Sequence, residues 1–144
     1  GLGTVITSYI ADDNTIIILS NNEFNSSQLA GPLAYIVTDR QTVGPYKHET
    51  INIDTLLLDK YAGKYLVPNM PNSVKMELFK KEGTLFYRYE NKTIETELKP
   101  ESSTKFFNDN ADMQIEFQVD SKGDPVKAFV IFSGMKKEIK KLSE

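Results

Sequence analysis

The chain has 144 residues, 40% hydrophobic and 26% charged, with 17 Lys and Arg against 20 Asp and Glu; this fits one compact domain, or a small domain with an appendage, and excludes a large multidomain enzyme. With no cysteine and a single histidine, His48, it has no disulfide, no thiolate metal site, no cysteine nucleophile and no site needing two histidines. The mildly acidic balance, net −3, speaks against nucleic acid as a partner, and the longest apolar run, Ile16 to Leu19, falls far short of the roughly 20 residues of a membrane span.

Charge is unevenly placed. Residues 1–39 hold no Lys or Arg and four acids (Asp12, Asp13, Glu23 and Asp39), and all 17 basic residues lie from Arg40 onward. Composition therefore shifts near residue 40. The opening Gly1-Leu2 has no basic region followed by an apolar core, so it is not read as a signal peptide; the chain is expected to begin inside a longer protein.

Val5 to Ile10 reads as a strand, Ala11-Asp12-Asp13-Asn14 as a turn, and Thr15 to Leu19 as a second strand. That second strand is β-branched and apolar on both faces, as in a sheet covered on both sides. Two strands alone do not supply such cover. Asn25 to Asp39 reads as a helix capped by Ser26 or Ser27. Leu29, Leu33, Ile36 and Val37 form its apolar face, with Pro32 awkward inside it. Arg40 to Asn52 reads as a linker, punctuated by Val43-Gly44-Pro45-Tyr46, with Lys47, His48 and Glu49 solvated.

From Asp54 onward the pattern is all-β after one helical turn over Thr55 to Leu58. Strands are expected at Tyr61–Val67, Val74–Lys80, Leu85–Tyr89, Ile94–Leu98, Lys105–Asn108, Ile115–Val119, Val126–Ser133 and Lys136–Leu142. Glu82-Gly83, Asn91-Lys92 and Ser121-Lys122-Gly123-Asp124 supply turns between them. About eight short strands in this length suit an up-and-down antiparallel barrel. Its interior is either filled by side chains or holds one small ligand.

Candidate chemistry is sparse. Ser102-Ser103-Thr104-Lys105 has the Ser-x-x-Lys spacing of penicillin-recognising serine enzymes. It lies in a loop entering a strand, where extended geometry parts hydroxyl and amine by about 10 Å. Tyr89-Glu90-Asn91 matches their Tyr-x-Asn element, but it precedes the Ser-x-x-Lys match, in reverse order, and no Lys-Thr-Gly, Lys-Ser-Gly or His-x-Gly triplet exists. Both matches read as coincidence, so no catalytic residue is assigned. His48 as a general base is set against a solvated histidine. Asp12-Asp13 as a metal pair is set against a hairpin turn. The many aromatics, Tyr61 to Phe132, read as core rather than as a stacking platform. Asn25-Ser26-Ser27 and Asn91-Lys92-Thr93 match glycosylation acceptors only as a pattern. Lys136, Lys137, Lys140 and Lys141 read as a solvated edge strand. No cofactor or metal site is expected.

Residues 1–39 nevertheless resemble the end of the catalytic domain of serine β-lactamase-related proteins, including class C β-lactamases and D-aminopeptidases. The carrying residues are Gly1-Leu2, Tyr9-Ile10-Ala11-Asp12-Asp13-Asn14 and Ile16-Ile17-Ile18-Leu19-Ser20-Asn21. They look like that family's closing β-hairpin, before a terminal helix that packs on the sheet. Residues 54–144 resemble the lipocalin-like C-terminal domain often fused to such enzymes. Leu58-Asp59-Lys60-Tyr61-Ala62-Gly63-Lys64-Tyr65 looks like its opening signature. Leu98-Lys99-Pro100 leading to Phe106-Phe107, and Ile115-x-Phe117 through Asp120, Gly123 and Val126, look like later elements.

The resemblance implies a mainly β chain. It has a hairpin and helix left from an α/β catalytic domain (1–39), a linker (40–53) and a lipocalin-like eight-stranded barrel (54–144). It implies a non-catalytic accessory region of a serine hydrolase, shaping substrate access in the intact protein. The expected partner is the missing catalytic domain, or a second copy through the exposed hairpin 4–21. Export to a bacterial periplasm or cell surface is what the resemblance suggests. The alternative is a free-standing small barrel that binds an apolar ligand.

Overall fold

The computed structural model describes residues 3–21, 27–38, 46–68, 73–110, 113–132 and 134–143. The chain divides into two compact units, one around the N-terminal hairpin and its helix and the other, from Lys47, around a β-barrel.

In the first unit, β1 (Gly3–Tyr9) pairs antiparallel with β2 (Asn14–Ser20), Ile6 opposite Ile17 and Thr4 opposite Leu19. The connection is a single 3-10 turn, Ile10–Asp12, closed by Asp13 in the left-handed region at φ 51°. Aspartate tolerates that conformation better than most residues. Asp13 is thus a turn residue, as its sequence context suggests.

Helix α1 (Ser27–Val37) carries Pro32 within it. Its last turn is closed by Thr38, whose N–H and hydroxyl both donate to the Ala34 carbonyl, at 3.0 and 2.7 Å. Ile16, Ile18 and Ala34 form the buried cluster, with Val5, Tyr9 and Ala30 packed against it. The helix therefore meets the sheet through its small residues. The face expected to be buried, Leu29, Leu33, Ile36 and Val37, is exposed. These residues share one apolar arc with Ala30 and Ala34, and the sheet occupies only one edge of it. The proposed Ser26 or Ser27 cap and the helix ends at Asn25 and Asp39 lie outside the described residues or side chains, as do Gly1-Leu2 and Val43-Gly44-Pro45.

The second unit opens with the short helix α2 (Leu57–Tyr61), preceded by a turn in which Asp54 Oδ1 accepts the Leu56 N–H at 2.9 Å. Eight strands follow: β3 (Gly63–Val67), β4 (Val74–Lys81), β5 (Thr84–Tyr89), β6 (Thr96–Pro100), β7 (Lys105–Asn108), β8 (Met113–Val119), β9 (Pro125–Phe132) and β10 (Met135–Lys141). Each pairs with its sequence neighbour, and β10 closes on β3 to complete a barrel. The expected eight-stranded antiparallel barrel is what forms. Strand limits differ at several ends, β8 starting at Met113 rather than Ile115. Tyr61 ends the helix instead of starting β3, and Ile94 lies before β6, 72% exposed. The β4–β5 connection is a two-residue hairpin, Lys81 facing Thr84, with Glu82 at φ 51° and Gly83 at φ 78°. Two positive φ angles match the twist of the flanking strands.

Alternation along the strands sends Met76, Leu78, Leu85, Tyr87, Leu98, Phe106, Ile115, Phe117, Val130 and Ile139 inward. Rings fill one end of the interior. Tyr61 stacks on Phe117 at 4.0 Å between centroids, and Phe106 meets both edge-on. Tyr61 donates to the Ser103 carbonyl and Tyr65 to the Tyr61 carbonyl, at 2.9 and 2.8 Å, so both buried hydroxyls are satisfied. The Leu58–Tyr65 signature is thereby a structural one: its apolar and aromatic members fill the barrel. Gly63 sits at φ 142°, where a Cβ would lie 2.6 Å from Lys141 Cε. That conformation favours glycine.

Candidate functional site

Residues 47–53 run as a strap along the barrel, not as a free linker. The Ile51 N–H donates to the Pro100 carbonyl at 2.9 Å, and Ile53 packs against the core. His48 corrects the expectation of a solvated side chain. It is 16% exposed, stacks on Phe107 at 4.5 Å and 15°, and places Nδ1 3.0 Å from Glu101 Oε1. The other oxygen of Glu101 pairs with Lys105 Nζ at 3.4 Å. One carboxylate, on the turn between β6 and β7, thus joins strap and barrel. Lys47 and Glu49 are exposed as expected.

This arrangement accounts for the Ser-x-x-Lys match. Ser102 Oγ accepts the Thr104 N–H at 3.2 Å and lies 3.4 Å from Thr104 Oγ1. Its hydroxyl serves the turn, and Lys105 serves Glu101. Tyr89, the other motif residue, packs on the core, and burial raises its phenol above the usual range. The structure does not bring these groups into one nucleophile–base constellation. Glu101 and the strap were missed in the sequence. The signal available was the alternation of Ile51 and Ile53 with Asn52 and Asp54.

The strap also walls a cleft of about 320 Å³. Thr50, Ile51 and Asn52 stand on one side, and Thr84 of β5 with Glu97 and Lys99 of β6 on the other. The β5–β6 ladder ends at Leu85 opposite Leu98, so the two strands part where the strap crosses. Leu58, Leu85, Leu98 and Phe106 close the floor, each no more than 2% exposed. Lys99 is held by Asp109 at 2.6 Å, and this hydrogen bond raises its ammonium above the usual lysine range.

Other polar clusters are structural. Asp120 Oδ1 accepts the N–H groups of Asp124 and Lys122, at 2.9 and 2.8 Å, and these bonds hold its carboxyl below the usual range. Lys60 clamps the same turn through Asp124 at 2.9 Å. On the outer face of β4 and β5, Phe79 and Phe86 stack at 6.0 Å, with Arg88 over Phe79 and Lys81 over Phe86. Both cations pair with Glu95, whose carboxyl is held low chiefly by its hydrogen bond from Lys81. Among the described residues, no three His, Asp or Glu side chains gather as a metal site, and no helix is long and apolar enough to cross a membrane.

The hairpin unit presents a different feature. Ile6, Ile17 and Leu19, on the sheet face away from α1, are 66, 61 and 76% exposed. They adjoin one another across the ladder, since Ile6 faces Ile17. Ile36 and Val37 of α1 are 59 and 50% exposed.

No curated protein and no solved structure matches the chain. Residues 47–141 match the model of a family described as a domain of unknown function, DUF3471. The match begins at the strap, one residue before His48, and ends with β10, so that strap and barrel together are the family's unit. Covering well over half of the chain, it shows that this protein belongs to the DUF3471 family.

Proposed function

We propose that the chain is the non-catalytic C-terminal part of a serine β-lactamase-related, penicillin-binding-type hydrolase. In this reading the hairpin and α1 complete the catalytic domain's sheet, and the lipocalin-like barrel stands beside it and shapes substrate access. The observation that carries the reading is the hairpin unit's two uncovered apolar faces, Ile6, Ile17 and Leu19 on the sheet and Ile36 and Val37 on the helix. A hairpin with one helix has too little core to stand alone, and contiguous exposed apolar surface marks an interaction site. The resemblance of Tyr9 to Asn21 to the family's closing hairpin names the cover: further strands and helices of the catalytic domain. The filled barrel interior weighs against the alternative of an apolar ligand held inside it.

The coding sequence upstream of Gly1 tests the reading. We expect an open frame encoding Ser-x-x-Lys, then Tyr-x-Asn, then a His- or Lys-x-Gly triplet immediately before Gly1. An unrelated upstream frame would overturn it. In the chain studied alone, the same face is proposed to pair two copies. Sedimentation velocity should then show concentration-dependent association, abolished by Ile17→Lys with Leu19→Lys. A clean monomer at high concentration counts against it.

A further inference from the structure

We infer that the cleft between the strap and the β5–β6 seam is a binding site for a small primary amine with an apolar body. The site lies wholly within the barrel unit, so it does not depend on what covers the hairpin. Its volume, about 320 Å³, is at the low end of the ~300–1,000 Å³ typical of small-molecule sites. The floor is sealed by core side chains, so a ligand rests outside the barrel wall and does not enter the interior.

Charge selects the class of ligand. Two charged side chains line the cleft, Glu97 and Lys99. Lys99 is neutralised by Asp109 at 2.6 Å. Glu97 is exposed and has no ion-pair partner among the described residues. Lys99 feels both carboxylates, Asp109 through its hydrogen bond and Glu97 at longer range, and the three groups together keep one net negative charge, which attracts a cation and repels a carboxylate. Ile51, 42% exposed, and the ring of Pro100 offer apolar contact opposite. Thr50 and Asn52 add hydrogen-bonding groups on the strap. The strap is the cleft's second wall. It is held by the Ile51–Pro100 hydrogen bond and by His48 on Phe107, both beside the cleft.

The test is an amide-resolved NMR titration of the full chain with phenethylamine, 2-phenylethanol and 3-phenylpropionate. These probes share a body and differ in charge. We expect saturable shifts confined to residues 50–53, 83–85 and 97–99, with the amine bound about fivefold more tightly than the alcohol, the upper end for one exposed ion pair. The carboxylate should bind most weakly. Glu97→Gln, at an exposed position, should leave the remaining spectrum unchanged and bring the amine to the level of the alcohol. Scattered, unsaturable shifts with all three probes would overturn the site. An amine preference that survives in Glu97→Gln would overturn the role of Glu97.

Discussion

Both units of this chain are antiparallel β-structure built on alternating side chains, and they use it to opposite ends. In the barrel, inward residues meet inward residues of the other strands, and the last strand closes on the first. In the hairpin, one face meets α1 and the other has Ile6, Ile17 and Leu19 in the open. Closure removes the free edges of a sheet; a two-stranded ribbon has two of them. The same local pattern therefore gives a closed core in one unit and a layer covered on one face in the other.

The sharpest way to break that comparison is to remove a large side chain from each. Phe117 is 3% exposed and stacked on Tyr61. Phe117→Ala should cost about 3–5 kcal/mol, the transfer term plus the cavity left between rings. Ile17 is apolar but exposed in the single chain, so at dilutions where the chain is monomeric Ile17→Ala should shift stability by less than about 0.5 kcal/mol. Urea unfolding followed by tyrosine near-ultraviolet dichroism reads both. Equal losses would mean that the outer hairpin face is covered in solution.

A second test concerns the barrel's opening signature. Gly63→Ala should cost about 1–3 kcal/mol through the left-handed backbone alone. The nearest obstacle, Lys141 Cε at 2.6 Å, belongs to the end of a flexible side chain that can swing away. Adding Lys141→Ala should therefore not restore stability. A full rescue would place the glycine's role in steric contact with the last strand.

Alkaline pH separates buried from exposed tyrosines. Burial raises the phenols of Tyr61, Tyr65 and Tyr89 above the usual range. Their folded values lie above the unfolded value of about 10. Their contribution to stability is thus complete below pH ~10 and is lost as pH rises toward the folded values. The tyrosinate absorbance of the native chain should lag that of the urea-unfolded chain, and the unfolding midpoint should fall above pH ~10. Superimposable titrations would mean that these rings are open to solvent.

How much of this was legible in the sequence follows from where the signal lies. Period-2 alternation marks β3 to β6 because each has one buried face, whereas β7 to β9 also bury Phe107, Gln114 and Ile131 on the other face; Ser121-Lys122-Gly123-Asp124 marks its turn through Asp120, which accepts two N–H groups across it. Local pattern starts the first barrel strand at Tyr61; the stack on Phe117, a contact between distant residues, goes with its place at the helix end instead. The α1 face was misjudged because the apolar arc is wider than its contact, and small Ala30 and Ala34 permit the close approach. His48 was lost because a ring stacked on Phe107 is invisible to local patterning. The same limit hid the cleft, whose walls come from three separate stretches of chain.

The strap offers the finest discrimination, between a ring contact and a polar side-chain contact at one residue. His48→Ala removes both the Phe107 stack and the Glu101 contact. An aromatic pair contributes about 0.5–1.5 kcal/mol beyond area burial. A partly exposed polar contact of this kind is worth at most about 1 kcal/mol, and Glu101 would still hold Lys105, so no carboxylate is orphaned. The stack should therefore dominate. His48→Phe, which keeps a ring and loses the pair, should retain most of the stability that His48→Ala loses. Hydrogen exchange at the Ile51 amide, which bonds to Pro100, reports the strap directly and should accelerate more in His48→Ala than in His48→Phe. If both variants accelerate it equally, the polar contact to Glu101 is what fastens the strap, and the DUF3471 unit begins with a hydrogen-bonded tie rather than with a packed ring.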